Sequence, residues 1–111
     1  MRSFAELVDV SWECRGYDTA DFGIPVRAFL LRLRPGESIH RHKDAGDVDT
    51  LHFVLQTNER ARNFWIDENG DERQLHMEQG KVYRVNRLLE HWARNDGETD
   101  RIHLLVEYPL K

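Results

Sequence analysis

A single cysteine, Cys14, among 111 residues rules out an internal disulfide, and a lone thiol agrees with a reducing compartment. On its own Cys14 reads as a half-buried packing residue. Proline is scarce, at 3 residues, and the 7 glycines are scattered, which leaves neither a flexible linker nor a low-complexity stretch. Apolar runs last only a few residues, too few to cross a bilayer, and Met1-Arg2-Ser3-Phe4-Ala5-Glu6 lacks the apolar core of a secretory signal. A cytoplasmic protein without a membrane partner is expected. Excess positive charge is also missing: the net charge is −4, acids and bases are interleaved, and no polybasic patch offers itself to nucleic acid.

What remains is 40% apolar and 32% charged, the make-up of one ordinary domain with one core. Turn residues interrupt short apolar segments every eight to twelve positions, the spacing of an all-β sandwich or barrel. The candidate strands are Ile24–Arg34, Ser38–Lys43, Thr50–Gln56, Ala61–Asp67, Glu72–Met77, Lys81–Asn86, His91–Asn95 and Arg101–Tyr108. Arg34-Pro35-Gly36-Glu37 spells a tight turn, with proline presetting φ and glycine accepting a positive one. Asn69-Gly70 is the strongest short hairpin signal, joining the fourth and fifth candidates. Eight strands with a tight hairpin there fit a jelly roll, a double-stranded β-helix of cupin-like form. Its two sheets should hold candidates 1, 3, 6, 8 and 2, 4, 5, 7.

The N-terminal stretch 1–23 is expected to pack on a barrel formed by 24–111. Ser3 and Glu6 have the form of a capping box opening a short helix through Asp9, although Val8 to Trp12 also alternates like a strand; the helix is the preferred reading. Leu51, Phe53 and Leu55, with Ile102, Leu104 and Val106, make apolar faces opposite the faces carrying His52 and Arg101. A sheet apolar on both sides needs two covers. Phe4, Leu7, Val8 and Trp12 are candidates for the outer cover, and a second copy of the chain, giving a homodimer, is the other.

The chemistry concentrates in His42, Asp44, His91 and Arg101. Side chains at i and i+2 on a strand share a face with Cα atoms about 6 to 7 Å apart, so His42 and Asp44 can grip one ion. His91 opens the seventh candidate strand, the antiparallel neighbour of the second in a jelly roll, and can close the third corner. Two imidazoles and a carboxylate are the facial set of non-haem Fe(II), which leaves positions open for small molecules. Arg101 begins the eighth strand in the opposite sheet, about 10 Å away, a gap suited to 2-oxoglutarate with its far carboxylate on the guanidinium fork. An O₂-activating oxygenase is the reading these residues suggest.

The stretches Ser38-Ile39-His40-Arg41-His42-Lys43-Asp44, Leu51-His52-Phe53-Val54-Leu55-Gln56-Thr57-Asn58, Glu78-Gln79-Gly80-Lys81-Val82-Tyr83 and Glu90-His91-Trp92-Ala93-Arg94-Asn95, with Arg101-Ile102-His103-Leu104-Leu105, resemble the aspartyl/asparaginyl β-hydroxylase family, which includes bacterial proline hydroxylases. The resemblance runs from about Leu30 to Tyr108. It implies a double-stranded β-helix oxygenase using Fe(II), O₂ and 2-oxoglutarate to hydroxylate an amino acid, free or within a polypeptide. It also implies His42, Asp44 and His91 as iron ligands, Arg101 as the 2-oxoglutarate anchor, and His52 close to the cosubstrate. Many relatives carry an Arg two residues before that strand-3 His, where this chain has Thr50.

Two other readings compete. If the second strand is regular, His40 shares the face of His42, and His40-x-His42 with His91 resembles a cupin metal site. Against it, Lys43 to Thr57 contains no Glu where a cupin usually has one. A non-catalytic β-sandwich binding module is the third reading. His76 and His103 read as a strand-surface residue and a satisfied inner-sheet residue, and Trp92 and Arg94 flanking the metal strand, with Arg41 and Asn58 near the expected mouth, as surface or packing residues.

Overall fold

The structure is a computed structural model and describes residues 7–9, 25–43, 48–85 and 88–109. Among the described residues nine strands run in the order β1 (Leu7–Asp9), β2 (Arg27–Leu33), β3 (Ser38–His42), β4 (Val48–Gln56), β5 (Ala61–Ile66), β6 (Glu72–Leu75), β7 (Val82–Val85), β8 (His91–Asn95) and β9 (Arg101–Pro109). They form one sheet ordered β1-β7-β4-β9-β2 and another ordered β3-β8-β5-β6. The eight strands expected from sequence are β2 to β9, and both sheets have the expected membership. Alternation decided this partition, because each strand has one face that can enter a shared interior.

That interior is built where the faces meet. Val54, Tyr83 and Val85 from the larger sheet pack with Met77, Trp65 and Leu75. A second cluster, Leu51, Val82, Val106 and Tyr108 with Phe53 and Leu104 against it, lies on the other side of the larger sheet. The register decides this: Leu51 faces Val106 and Phe53 faces Leu104, while His52 faces Leu105 on the inner side. Leu51 has no exposed area and Val106 is nearly as buried, so the outer face is covered there, whereas Leu30, opposite Leu104 on the β2 edge, is exposed. Leu55 departs from the pattern because a ladder irregularity between Val54 and Gln56 lies at its position, and it is exposed.

The helix expected through Asp9 is corrected: Leu7–Asp9 is a strand running parallel to β7, with Leu7 opposite Val82 and Asp9 opposite Arg84. An open sheet edge offers a row of unpaired backbone groups, and pairing there outweighs a local capping preference. Phe4, Trp12 and Cys14 lie outside the described residues.

Both expected turns form. Glu37 N donates to Arg34 O at 3.0 Å with Gly36 at φ 84°. The β5–β6 connection is longer than the two-residue turn that Asn69-Gly70 suggests: Ile66 pairs with Glu72, and among the described residues only glycines take positive φ, so Asn69 does not. Asp67 organises this loop, its carboxylate accepting from Asn69 N and Asp71 N at 2.9 Å and from Arg73 Nε at 2.8 Å.

The loop that delivers Arg101 is pinned from below. Fully buried Asn95 donates through Nδ2 to Leu33 O and Thr99 O, and its Oδ1 accepts from Asn58 Nδ2 and Gly97 N. A Cβ at Gly97 would collide with the Asn58 side chain, which Asn95 and Thr99 hold in place. Gly97→Ala is therefore expected to cost about 1–3 kcal/mol. Urea unfolding would measure it, and an unchanged midpoint would show that Asn58 swings aside freely.

Candidate active site

His42 and His91 are ladder partners, and their rings lie 4.4 Å apart between centroids. A β-bulge makes this pairing. Ile39 pairs with Ala93 and His42 with His91, so His40 and Arg41 together oppose Trp92. The extra residue shifts the alternation by one, which turns His42 onto the inner face with Ile39 and leaves His40 exposed. A regular β3 would have put His40 and His42 on one face, and the cupin-type grip through His40 depends on that regularity. Its ring stands 5.5 Å from that of His42.

Both inner histidines are oriented by backbone. His42 Nδ1 lies 2.7 Å from His40 O, and His91 Nδ1 lies 2.8 Å from Leu89 O. A carbonyl can only accept, so each Nδ1 carries a proton, and in the neutral tautomer Nε2 is left with the lone pair, the arrangement of a metal-binding imidazole. Asp44 falls outside the described residues, β3 ending at His42. Among the described residues no three His, Cys, Asp or Glu side chains converge on one point, so two of the three expected ligands meet there.

A cavity of about 370 Å³ opens beside this pair, in the size range of small-molecule sites. Phe29, Leu31, Ile39 and Leu105 give it apolar walls, and Thr50, His52, Asn63, His42 and His91 supply polar ones. Thr50, where many relatives have Arg, is buried on the same inner face as His52. Arg27 and Glu107 also line it, joined by a fork at 2.8 and 3.0 Å.

Arg101 begins β9 on the inner face and is only 1% exposed. Its Nη2 donates to Asn63 Oδ1 at 2.8 Å, so it reaches the cavity through a residue that lines it. Asn63 lies one same-face step, about 7 Å, along β5 from Trp65, the ladder partner of His91. No carboxylate pairs with Arg101 among the described residues, and its Nη1 has no hydrogen-bond partner. Burial pushes the guanidinium down to about 10, which still leaves it a cation at neutral pH. The cost of that burial is on the order of 3 kcal/mol, which an arriving anion would offset.

Behind the cavity, His52 Nδ1 lies 3.0 Å from His103 Nδ1. The sequence predicts a satisfied inner-sheet residue at His103; it is indeed fully buried, but among the described residues its Nε2 has no partner. Burial first, then the charge of Arg101 and the neighbouring His52, hold His103 well below 6.5. Its inward placement agrees with the inner-sheet reading from sequence, but no sequence signal reports an orphaned nitrogen. His76 is part-buried, its Nδ1 3.2 Å from Ala61 O, not a strand-surface residue.

A neutral buried imidazole makes stability depend on pH. The unfolded chain takes up a proton at His103 near 6.5 and the native state only well below that, so stability is fully present above 6.5 and falls on acidification, by at most about 1.4 kcal/mol per pH unit. Urea midpoints at pH 7.5 and 5.5 should show this fall, and His103→Leu should flatten it. An unchanged slope in the variant would mean other groups set it.

Of the residues read as surface or packing ones, Trp92 borders the cavity and the others pack away from it. Trp92 stacks on Phe64 at 5.5 Å and 6°, Arg41 lies 4.8 Å over Trp92 and pairs with Glu90, and Arg94 lies 5.2 Å over Phe64 and pairs with Asp96. Asn58 serves the Asn95 network.

Two facing sheets with this strand order make a double-stranded β-helix of the cupin type, and solved structures agree. The chain matches the Momordica charantia 7S globulin with a TM-score of 0.58 and 18% identity, over 76% of this chain and 23% of that one. It matches a predicted oxalate decarboxylase from Thermotoga maritima at 0.54 and 23%, covering 75% of this chain and 65% of that one. A Klebsiella pneumoniae protein of uncharacterised role with a double-stranded β-helix domain matches at 0.53 and 18%, covering 86% and 84%. The chain thus spans under a quarter of the globulin and about two thirds of the decarboxylase, and at these identities the likeness is one of fold. Residues 19–109 match the aspartyl/asparaginyl beta-hydroxylase family, and the chain belongs to it.

Proposed function

We propose that this chain is an Fe(II)- and 2-oxoglutarate-dependent dioxygenase that hydroxylates an amino acid or an Asp/Asn-type side chain. The observation carrying this reading is Arg101, a buried cation without a carboxylate partner among the described residues, linked by Asn63 to a cavity that the His42–His91 pair also lines. Such a guanidinium suits one end of a dicarboxylate, and the imidazole pair suits a metal holding the other end.

The donor chemistry fits the metal: His42 and His91 present Nε2 lone pairs fixed by backbone carbonyls, and Asp44 is the proposed third ligand. When bound, iron with 2-oxoglutarate and O₂ supplies the oxidising power to place a hydroxyl on an unactivated C–H bond, with succinate and CO₂ as the other products. The protein's own share is placement. Arg101 anchors the far carboxylate by charge-assisted hydrogen bonds, His52 borders the cosubstrate from the larger sheet, and Phe29, Leu31, Ile39 and Leu105 keep water from the reacting region. The proposed substrate is a small molecule or a peptide met in the cytoplasm, and a second copy of the chain is the proposed partner.

Anaerobic reconstitution with Fe(II) and 2-oxoglutarate, then oxygen and a panel of amino acids and peptides, should yield succinate with a hydroxylated product. No succinate above the metal-free control with any substrate would refute the reading. Failure to retain any metal would favour a binding module in its place.

A further inference from the structure

We propose that His103 is a second anchor for the far carboxylate of 2-oxoglutarate, so that Arg101 Nη1 and His103 Nε2 together form a two-point seat. This rests on the dioxygenase reading and assigns a residue that the ligand set from sequence does not contain.

Arg101 and His103 are at i and i+2 on β9 and face the same interior, 1% and 0% exposed. Among the described residues each has a buried nitrogen with no hydrogen-bond partner, Nη1 on one and Nε2 on the other. Buried polar atoms are nearly always satisfied, so two such orphans on adjacent same-face residues mark a place built for an absent acceptor. Each residue's other contact is to a side chain that lines the cavity: Arg101 to Asn63, and His103 to His52. Further along the same face of β9, Leu105 and Glu107 line the cavity themselves, and the two orphans stand behind that lining, one and two same-face steps from Leu105 and next to Asn63 and His52.

The His52–His103 contact makes His103 able to donate. Across two Nδ1 atoms 3.0 Å apart only one proton can lie. When His52 supplies it, neutral His103 must carry its own proton on Nε2, the orphaned atom. A carboxylate accepting from Nη1 and Nε2 completes both residues and selects that tautomer. His52 then acts as a positioning residue, setting the proton that His103 offers.

Pyruvate provides the control, since it has the keto-acid end of 2-oxoglutarate and lacks the far carboxylate. Titrating each into the full chain loaded with Mn(II), by calorimetry, should show 2-oxoglutarate binding at least 100-fold more tightly than pyruvate. His103→Leu should weaken 2-oxoglutarate 10- to 30-fold and leave pyruvate unchanged, while His103→Gln, which keeps a donor, should recover most of the loss. In unsubstituted chain loaded with Zn(II), 2-oxoglutarate but not pyruvate should shift the His103 Nε2 resonance to that of a hydrogen-bonded N–H. If His103→Leu binds 2-oxoglutarate as tightly as the parent, or that resonance does not move, the second anchor is wrong and the dioxygenase reading stands. If the parent shows no preference over pyruvate, the dioxygenase reading fails with it. The resonance decides the matter should His103→Leu not fold.

Discussion

Arg101→Met is expected to raise the 2-oxoglutarate concentration for half-maximal succinate formation by 10² to 10⁴-fold without lowering the melting temperature of the ligand-free chain. The first effect follows from losing a charge-assisted fork, at about 1.5–3 kcal/mol per bond and tenfold for each 1.4 kcal/mol. The second follows from the state of the residue before ligand arrives. Desolvating this cation costs on the order of 3 kcal/mol, and methionine fills similar space without that cost. Against it, Asn63 Oδ1 loses its donor, a penalty of about 1–3 kcal/mol. The two nearly cancel. A residue kept for stability would behave oppositely, so a large fall in melting temperature with cosubstrate dependence intact would show Arg101 to be structural.

His42→Ala and His91→Ala should each cut iron from near one equivalent to below a tenth after desalting, measured by metal analysis, while His40→Ala should keep it. Two imidazoles 4.4 Å apart with both Nδ1 atoms tied to carbonyls are oriented in advance, so neither can be replaced by rearrangement of the other. Asp44→Ala is expected to follow the two histidines. Retention of metal by Asp44→Ala together with its loss in His40→Ala would transfer the site to the cupin-type set.

Much of this was legible in the chain. Alternation along Thr50–Gln56 and Arg101–Tyr108 put His52 and Arg101 on one face and Leu51 and Val106 on the other, and the register agrees. Gly36 marked its turn correctly. Three things escaped for physical reasons. A bulge adds a residue without changing composition, so the phase shift between Ile39 and His42 was hidden and His40 stayed in contention. The strand at Leu7–Asp9 exists because β7 has an open edge, a tertiary fact, whereas Ser3 and Glu6 spoke only for local capping. The orphaned Nε2 of His103 needs three-dimensional neighbours to be recognised, since the letter His is the same whether satisfied or not.

The extra residue in β3 also foretells how the gene can change length. Because two positions share one rung opposite Trp92, excising His40 would leave Ile39 against Ala93 and His42 against His91, an ordinary ladder with both imidazoles still inward. Deletion anywhere between Thr50 and Val54 has no such slack and would invert every side chain downstream of it. Homologues one codon shorter at this rung, with an unaltered histidine pair, are the lineage record that such tolerance would leave.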